Sequence, residues 1–231
     1  MKTSALPVLA LVAGALANID LPAGVPRSVD EFRRKHARLQ WDDPPGRKLI
    51  TLRPSANDTD DVSDLFFKAL QDANDGGTVF LAPGETYIIG KPLDLTFLNN
   101  VHVRLDGEIK FTNDTPYWQA KAFRHPFQNS IMFWKWGGKN VRIFSDGVIN
   151  GNGQRWWNEF SGLEILDPSN AYLRPILFYA ENATGLDIQG IHLKDSPCWT
   201  TFFVTCKRSR RVRGKDHAYR YCTYKQQRTS H

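Results

Sequence analysis

The sequence predicts an all-β chain wound as a coiled sheet of short strands behind one capping helix. Three observations lead there: a loose strand–turn–strand repeat, one well-framed amphipathic helix ahead of it, and almost no helical pattern after Gly76. The repeat runs through "NVHVRLDGEIKF" from Asn100, "NVRIFSDGVING" from Asn140 and "GLDIQGIHLKDS" from Gly185, with starts 40 and 45 residues apart. Each unit opens on Asn or Gly, alternates apolar and polar residues, turns at a Gly and gives a second short alternating run. Inward-facing Val, Ile, Leu and Phe of one unit would stack on the next. Similar alternation also builds an ordinary β-sandwich, so pattern alone leaves both architectures open.

Taken from the start, "MKTSALPVLALVAGALA" has one Lys, an apolar run and a small-x-small ending, the marks of a signal peptide cleaved after Ala17. Its apolar run, Ala5 to Ala17, is shorter than the ~20 residues of a spanning helix, and no other stretch is apolar enough to span. Residues 18–48 read as an N-terminal extension, with "RSVDEFRRKHARLQ" as a short helix before the breaker "DDPPG". In "NDTDDVSDLFFKALQDANDGG", Asp and Thr offer a cap and a negative first turn. Val62, Leu65, Phe66, Ala69 and Leu70 fall at helical spacing, and Gly76-Gly77 stops the helix. An extended pair follows, "TVFLAP" and "TYIIG", around a turn at Gly84. Further strand-like pieces, "SIMFWKW" and "PILFYA", lie between the repeats.

The totals are those of an ordinary globular protein: 231 residues, 41% hydrophobic and 23% charged. The net charge of +6 is misleading until it is located. Residues 207–231 hold nine Lys/Arg against Asp216 alone, which leaves 21 basic and 23 acidic groups before them, a net of −2. Basicity confined to a tail is no nucleic-acid footprint for the domain. Three sequons, at Asn57, Asn113 and Asn182, fit a glycosylated, secreted, extracellular protein. Of three cysteines, Cys198 and Cys206 could bridge and Cys222 would be left over, but spacing does not establish the pairing.

With these residues on view a family resemblance emerges. The capped helix followed by "GGTVFLAPGETYIIG" looks like the N-terminal cap of the pectin-lyase-like right-handed parallel β-helix. "GVINGNGQRWWNEF" and "IHLKDSPCWTTFF" are similar to stretches of glycoside hydrolase family 28. "KPLDLTFLNNVHVRLDGEIKFTND" and "WKWGG" resemble the fungal exopolygalacturonases of that family. The resemblance implies a partial β-helix domain over 49–207, secretion, and removal of terminal α-1,4-galacturonic acid from pectin with inversion. It implies no cofactor, no metal, no membrane or nucleic-acid partner, and a monomer that meets polygalacturonate as substrate.

Inverting hydrolysis needs a protonated carboxylic acid and a carboxylate base ~6.5–9.5 Å apart, with room for water between. The family draws these from an "NTD" motif and an Asp-Asp pair, and adds "GHG" and an "RIK"-like motif. The sequence contains no "NTD", "GHG" or "RIK". No catalytic residue is therefore assigned, and the chain is expected to be inactive. Residues 208–231 are expected to be foreign to the fold, through a frameshift or mis-splicing after Lys207, because an arginine-rich run conflicts with the apolar strands before it. A non-catalytic binder of pectic fragments is the alternative, and a nucleic-acid arm a weaker one.

Individual candidates carry plainer readings beside the functional ones. Asp58, Asp60 and Asp61 suit a helix start better than catalysis. Lys194 and Trp199 could meet an acidic sugar, the lysine by charge and the indole by stacking, with Asp195 beside them; a solvated lysine, a turn-forming Asp and a packed indole are the simpler readings. Trp156 and Trp157 read as packing residues. His102, His125 and His192 have no ligand spacing, and "GNG" at 151–153 reads as a bend.

Overall fold

Backbone amides and carbonyls must find partners, and here every described strand except β7 finds them in a strand one coil away. The computed structural model describes residues 43–126, 130–160 and 173–207. The signal-peptide segment 1–17, the helix expected at "RSVDEFRRKHARLQ" and the tail 208–231 with Cys222 lie outside the described residues.

Strand β1 (Lys48–Thr51) precedes helix α1 (Ser63–Asp72), and four coils follow. The first holds β2 (Gly77–Leu81), β3 (Thr86–Ile89) and β4 (Leu93–Leu95). The second holds β5 (His102–Leu105), β6 (Glu108–Phe111), helix α2 (Thr115–Lys121), β7 (Phe123–His125), β8 (Ser130–Met132) and β9 (Trp134–Trp136). The third holds β10 (Arg142–Phe144), β11 (Val148–Asn150), helix α3 (Gln154–Phe160), β12 (Pro175–Ile176) and β13 (Phe178–Glu181). The fourth holds β14 (Asp187–Gln189), β15 (His192–Lys194) and β16 (Thr201–Val204).

Three parallel sheets result: sheet A, β1-β2-β5-β10-β14; sheet B, β3-β6-β11-β15; and sheet C, β4-β9-β13-β16. The architecture is a partial right-handed parallel β-helix, as the sequence implied. A small sheet, β7-β8-β12, sits at the turn into sheet C, with β7 folded back antiparallel on β8. The segments read as an extended pair, β2 and β3, do not pair with each other. Each pairs with the next coil instead, β2 with β5 and β3 with β6.

Alternation decides what lies inside. Val79, Val103, Ile143 and Ile188 stack in one row of sheet A. Tyr87, Ile109, Ile149 and Leu193 form the row of sheet B, and Leu95, Trp136, Ala180 and Phe203 that of sheet C. Aromatic rings fill the middle of the stack. Phe111 and Phe133 lie parallel with centroids 4.0 Å apart, Trp134 meets Phe111 edge-on at 4.8 Å, and Trp136 stacks on Phe178 at 5.8 Å. The buried Trp134 indole donates to the Leu177 carbonyl at 2.8 Å, so that ring enters the core without stranding its N–H.

Helix α1 packs against β2 and β4 through buried Val62, Phe66, Ala69 and Leu70. The N-cap is Val62, which offers no capping side chain. Asp61 just before it accepts from Ser63 N at 2.8 Å and from Gly90 N at 3.0 Å, so it ties the helix start to the end of β3 rather than capping the helix itself. Leu65 departs from the expected apolar face: it is 42% exposed, because the buried stripe is narrower than the run of apolar residues. The two later helices were not legible from the pattern. Each is a two-turn excursion from a coil corner that drives one indole inward, Trp118 from α2 and Trp156 from α3. Trp118 donates to Thr112 O at 2.9 Å, and Asp114 caps α2 through Tyr117 N at 3.1 Å.

Gly138 is the tightest corner. It sits at φ 82°, and an added Cβ would come within 1.9 Å of the Leu98 carbonyl oxygen. Gly84, at φ 74°, has open space around it. We expect Gly138→Ala to abolish cooperative unfolding or lower the urea midpoint severely. Gly84→Ala should cost only the ~1–2 kcal/mol of a left-handed non-glycine residue. Equal midpoints for the two variants would show that the corner tolerates displacement.

Candidate functional site

Outward residues on sheet C gather the richest chemistry among the described residues. In "LDL" of β4 and "WKW" of β9 the central residue must face away from its buried neighbours, which places Asp94 and Lys135 on the outer face in register. One coil on, Tyr179 and Glu181 of β13 join them, and Phe202 of β16 follows.

Lys135 Nζ lies 2.9 Å from Asp94 Oδ2 and 3.3 Å from Glu181 Oε1, and it sits over the Phe123 ring at 4.7 Å. The Tyr179 hydroxyl donates to Glu181 Oε2 at 3.0 Å. Thr96 donates to Asp94 Oδ1 from its backbone amide at 3.1 Å and its hydroxyl at 2.7 Å. Tyr179 and Phe202 stack 6.0 Å apart, and the His125 ring meets Phe202 edge-on at 5.0 Å. The face is thus a −/+/− triad beside an aromatic platform, with β7 lying over part of it.

The protonation states follow from these contacts. Burial pushes the Lys135 ammonium down, but its bonds to Asp94 and Glu181 outweigh that and hold its pKa above an ordinary lysine. Burial pushes Asp94 up, and the bonds from Thr96 and Lys135 reverse this and leave it below the usual carboxylate range. Burial, then the charge of Glu181, keeps the Tyr179 phenol protonated, and burial depresses His125 despite Glu181. A general acid needs a raised carboxyl pKa. The carboxyls whose surroundings move them resolvably, Asp60 to about 2, Asp94 and Glu159, all move downward through hydrogen bonds from Arg53, from Thr96 and Lys135, and from Arg155.

The residues proposed from sequence lie at the corner between sheets B and C. Lys194 ends β15 with its ammonium 3.7 Å from the Asp195 carboxylate, and Asp195 turns at φ 49°. The Asp195 carbonyl accepts from Gly153 at 2.9 Å, so its backbone serves the coil corner and "GNG" is the bend expected. Four residues on, Trp199 is 46% exposed while its carbonyl accepts from Leu177 N at 3.0 Å. The corner therefore offers an accessible indole and a lightly held lysine, five residues apart in sequence. Trp156 is buried, and Trp157 donates to Ser196 O at 3.1 Å, both in packing roles.

Cys198 and Cys206 are not bridged. The Cys206 thiol lies instead against the carbonyls of Val204, 3.5 Å away, and Ala180, 3.6 Å away, where burial raises its pKa. On sheet A, His102 pairs with Asp43 beside Arg47. A cleft of about 340 Å³ there is lined by Asp43, Arg47, Leu49, Phe80 and Arg104, but its cations are engaged, Arg104 with Asp106 and Arg47 with Thr78 and Asn100. No group of three His, Cys, Asp or Glu is gathered for a metal among the described residues, and none of their helices is long and apolar enough to cross a membrane.

Asp94, Lys135, Tyr179 and Glu181 were not singled out from the sequence. The available signal was a lone charge centred in apolar alternation, "LDL" and "WKW". Joining the two required the register between coils.

Comparison with known proteins is consistent with this geometry. The description "Glycosyl hydrolases family 28" matches residues 80–210. "Probable exopolygalacturonase B" of Aspergillus terreus is 52% identical over 202 residues, 87% of this chain and 46% of that protein. The protein of the same description from Emericella nidulans is 59% identical over 161 residues, 70% of this chain and 37% of the relative. The chain thus spans less than half the length of these curated relatives. Among solved structures, endo-xylogalacturonan hydrolase from Aspergillus tubingensis superposes with a TM-score of 0.53 at 28% identity, covering 69% of this chain and 39% of that one.

The triad makes a prediction with two signs. A raised Lys135 pKa contributes stability that is full below the unfolded value of 10.5 and lost as pH rises through the folded value. A depressed Asp94 pKa contributes stability present above 3.8 and lost as pH falls through its lower folded value. Lys135→Met should reduce stability near neutrality by about 1–3 kcal/mol, since two carboxylates lose their shared partner. It should also flatten both limbs in urea midpoints measured across pH. An unchanged midpoint would show that solvent already screens the triad.

Proposed function

From the premise that the chain belongs to glycosyl hydrolase family 28, we propose that it supplies the substrate-holding coils of an exported polygalacturonate-acting enzyme. The reaction proposed for the whole protein is inverting removal of terminal α-1,4-galacturonic acid from pectin. The described coils hold the uronate chain along the outer face of sheet C and the 194–199 corner, and do not cleave it by themselves.

One observation carries this reading. The face sets aromatic rings beside Lys135, and the carboxyl that its contacts shift, Asp94, is driven toward ionisation rather than toward the protonated state an acid catalyst needs. Aromatic faces suit sugar C–H surfaces, and lysine suits a uronate carboxylate. Lys194 is the better anion partner, because its ion pair is looser than that of Lys135. The absence of "NTD", "GHG" and "RIK" from the sequence supports the non-cleaving part. Affinity comes from local contacts, since the residues before the tail carry a slightly negative net charge and would not steer a polyanion.

The test is calorimetric titration of the purified chain with short oligogalacturonides, alongside an assay for released galacturonic acid. Binding without release is expected, and Trp199→Ala should weaken it roughly threefold to tenfold. Lys194→Met should weaken binding and reduce its salt dependence. Release above a mock preparation would overturn the non-cleaving reading, and the absence of any binding would overturn the holding role.

A further inference from the structure

We propose that Asn57 is the N-glycan acceptor of this fold, and that its glycan shields the outermost strand of sheet B. The proposal rests on the export proposed above, since the modification occurs only in the secretory pathway.

The tripeptide Asn57-Asp58-Thr59 occupies the tip of the loop joining β1 to α1, with all three residues exposed. The Asn57 side-chain carbonyl accepts from Thr59 N at 2.9 Å and from the Thr59 hydroxyl at 2.7 Å. That closed turn engages the side-chain carbonyl oxygen and not the Nδ2 nitrogen of an exposed residue. In the transfer, Nδ2 bonds to the anomeric carbon of a lipid-diphosphate-linked oligosaccharide. The carbon–oxygen bond to the diphosphate breaks, the amide gives up one proton, and the lipid diphosphate leaves as an anion.

The other two sequons are tied into the fold. Thr115 is buried inside α2, and the Asn113 carbonyl accepts from Arg155 at 3.2 Å. Asn182 sits at φ 51° with its amide donating to Val204 O at 2.9 Å, Ala183 is buried, and Thr184 N donates to Gly138 O at 2.8 Å. The Asn57 carbonyl also accepts, from Asp60 N at 3.1 Å, but its tripeptide alone of the three is exposed throughout, so a glycan there displaces nothing buried.

Its position gives the glycan a second consequence. β3 is the edge of sheet B, and this same loop satisfies it: Ser55 N donates to Thr86 O at 2.9 Å, Ile88 N to Ser55 Oγ at 2.8 Å, and Val62 N to Ile88 O at 2.9 Å. An edge closed only by a loop can still pair with another chain when the loop lifts. A bulky sugar on the loop tip blocks that approach.

The experiment expresses the full chain in a yeast secretory host in two forms, with its own N-terminus and with a host leader replacing residues 1–17. Enzymatic deglycosylation in heavy-oxygen water, followed by peptide mass spectrometry, reads the label at position 57. Most chains of the host-leader form should carry it. Asn57→Gln should lose one glycan-sized gel shift, while Thr59→Ser, which keeps the sequon, should retain it. Chains that enter the lumen on the host leader with position 57 unlabelled would overturn the proposal. Labelling in the host-leader form alone would uphold the site and refute export by the native N-terminus. For the shielding role, Asn57→Gln should lose monomer on size exclusion while Thr59→Ser keeps it; equal monomer in both would overturn that role.

Discussion

One corner, repeated four times, fixes everything else. At Asp75, Asn100, Asn140 and Gly185 the backbone turns at positive φ, 63°, 50°, 51° and 75°. Each of these amides donates to a carbonyl one coil further on: Asp75 to Asn99 at 2.9 Å, Asn100 to Lys139 at 2.8 Å, Asn140 to Thr184 at 2.8 Å, and Gly185 to Lys207 at 3.0 Å. Asn, Asp and Gly tolerate that conformation where other residues strain. The ladder sets the register of all three sheets at once, and a slip of one residue would carry Arg142 into the core and Ile143 out of it.

With the register fixed, the outer rows are no longer free. Sheet A presents Thr78, His102, Arg142 and Asp187 in line, and residues 43–47 lie across the first two. Arg47 reaches Thr78 Oγ1 and Asn100 Oδ1, both at 3.0 Å, so this face is stitched down. Burial lowers the His102 pKa more than Asp43 raises it, with Arg47 and Arg142 acting in the same direction as burial. A neutral His102 then holds Asp43 by hydrogen bonding rather than by charge. On sheet C, β7 covers part of the outer face through Phe123 on Lys135 and His125 on Phe202, while Trp199 at the corner ahead of β16 is exposed.

The corner is also what the sequence displayed most openly. The "NV" starts at Asn100 and Asn140, with Gly185 as their equivalent, mark three of the four rungs. The first rung escaped notice because Asp75 stands there, hidden in the run that ends α1. Its spacing to the next rung is also shorter, Thr78 pairing with His102. Helices α2 and α3 escaped because a two-turn excursion anchored by one indole has no amphipathic period to detect. The corner residues Lys194, Asp195 and Trp199 could be named from sequence because they are contiguous with a recognisable motif. The triad could not, because Asp94, Lys135 and Glu181 are about forty residues apart and meet only through inter-coil register. Local chemistry was legible, and chemistry assembled by stacking was not.

Stacking also ties the coils to one another. In a solenoid each coil is held by its neighbours alone. Ile143, Ile149 and Ala180 of the third coil are buried between rung partners, Val103, Ile109 and Trp136 on one side and Ile188, Leu193 and Phe203 on the other. Fully burying such a side chain is worth about 1.5–3 kcal/mol, so each rung binds its coil to both neighbours at once. Trp199 and Phe202 belong to the fourth coil and Lys135 to the second. They have no contact in sequence, and only the rungs between them bring them onto the same side of the stack. A change in one coil's core is therefore expected to reach the outer face of the next.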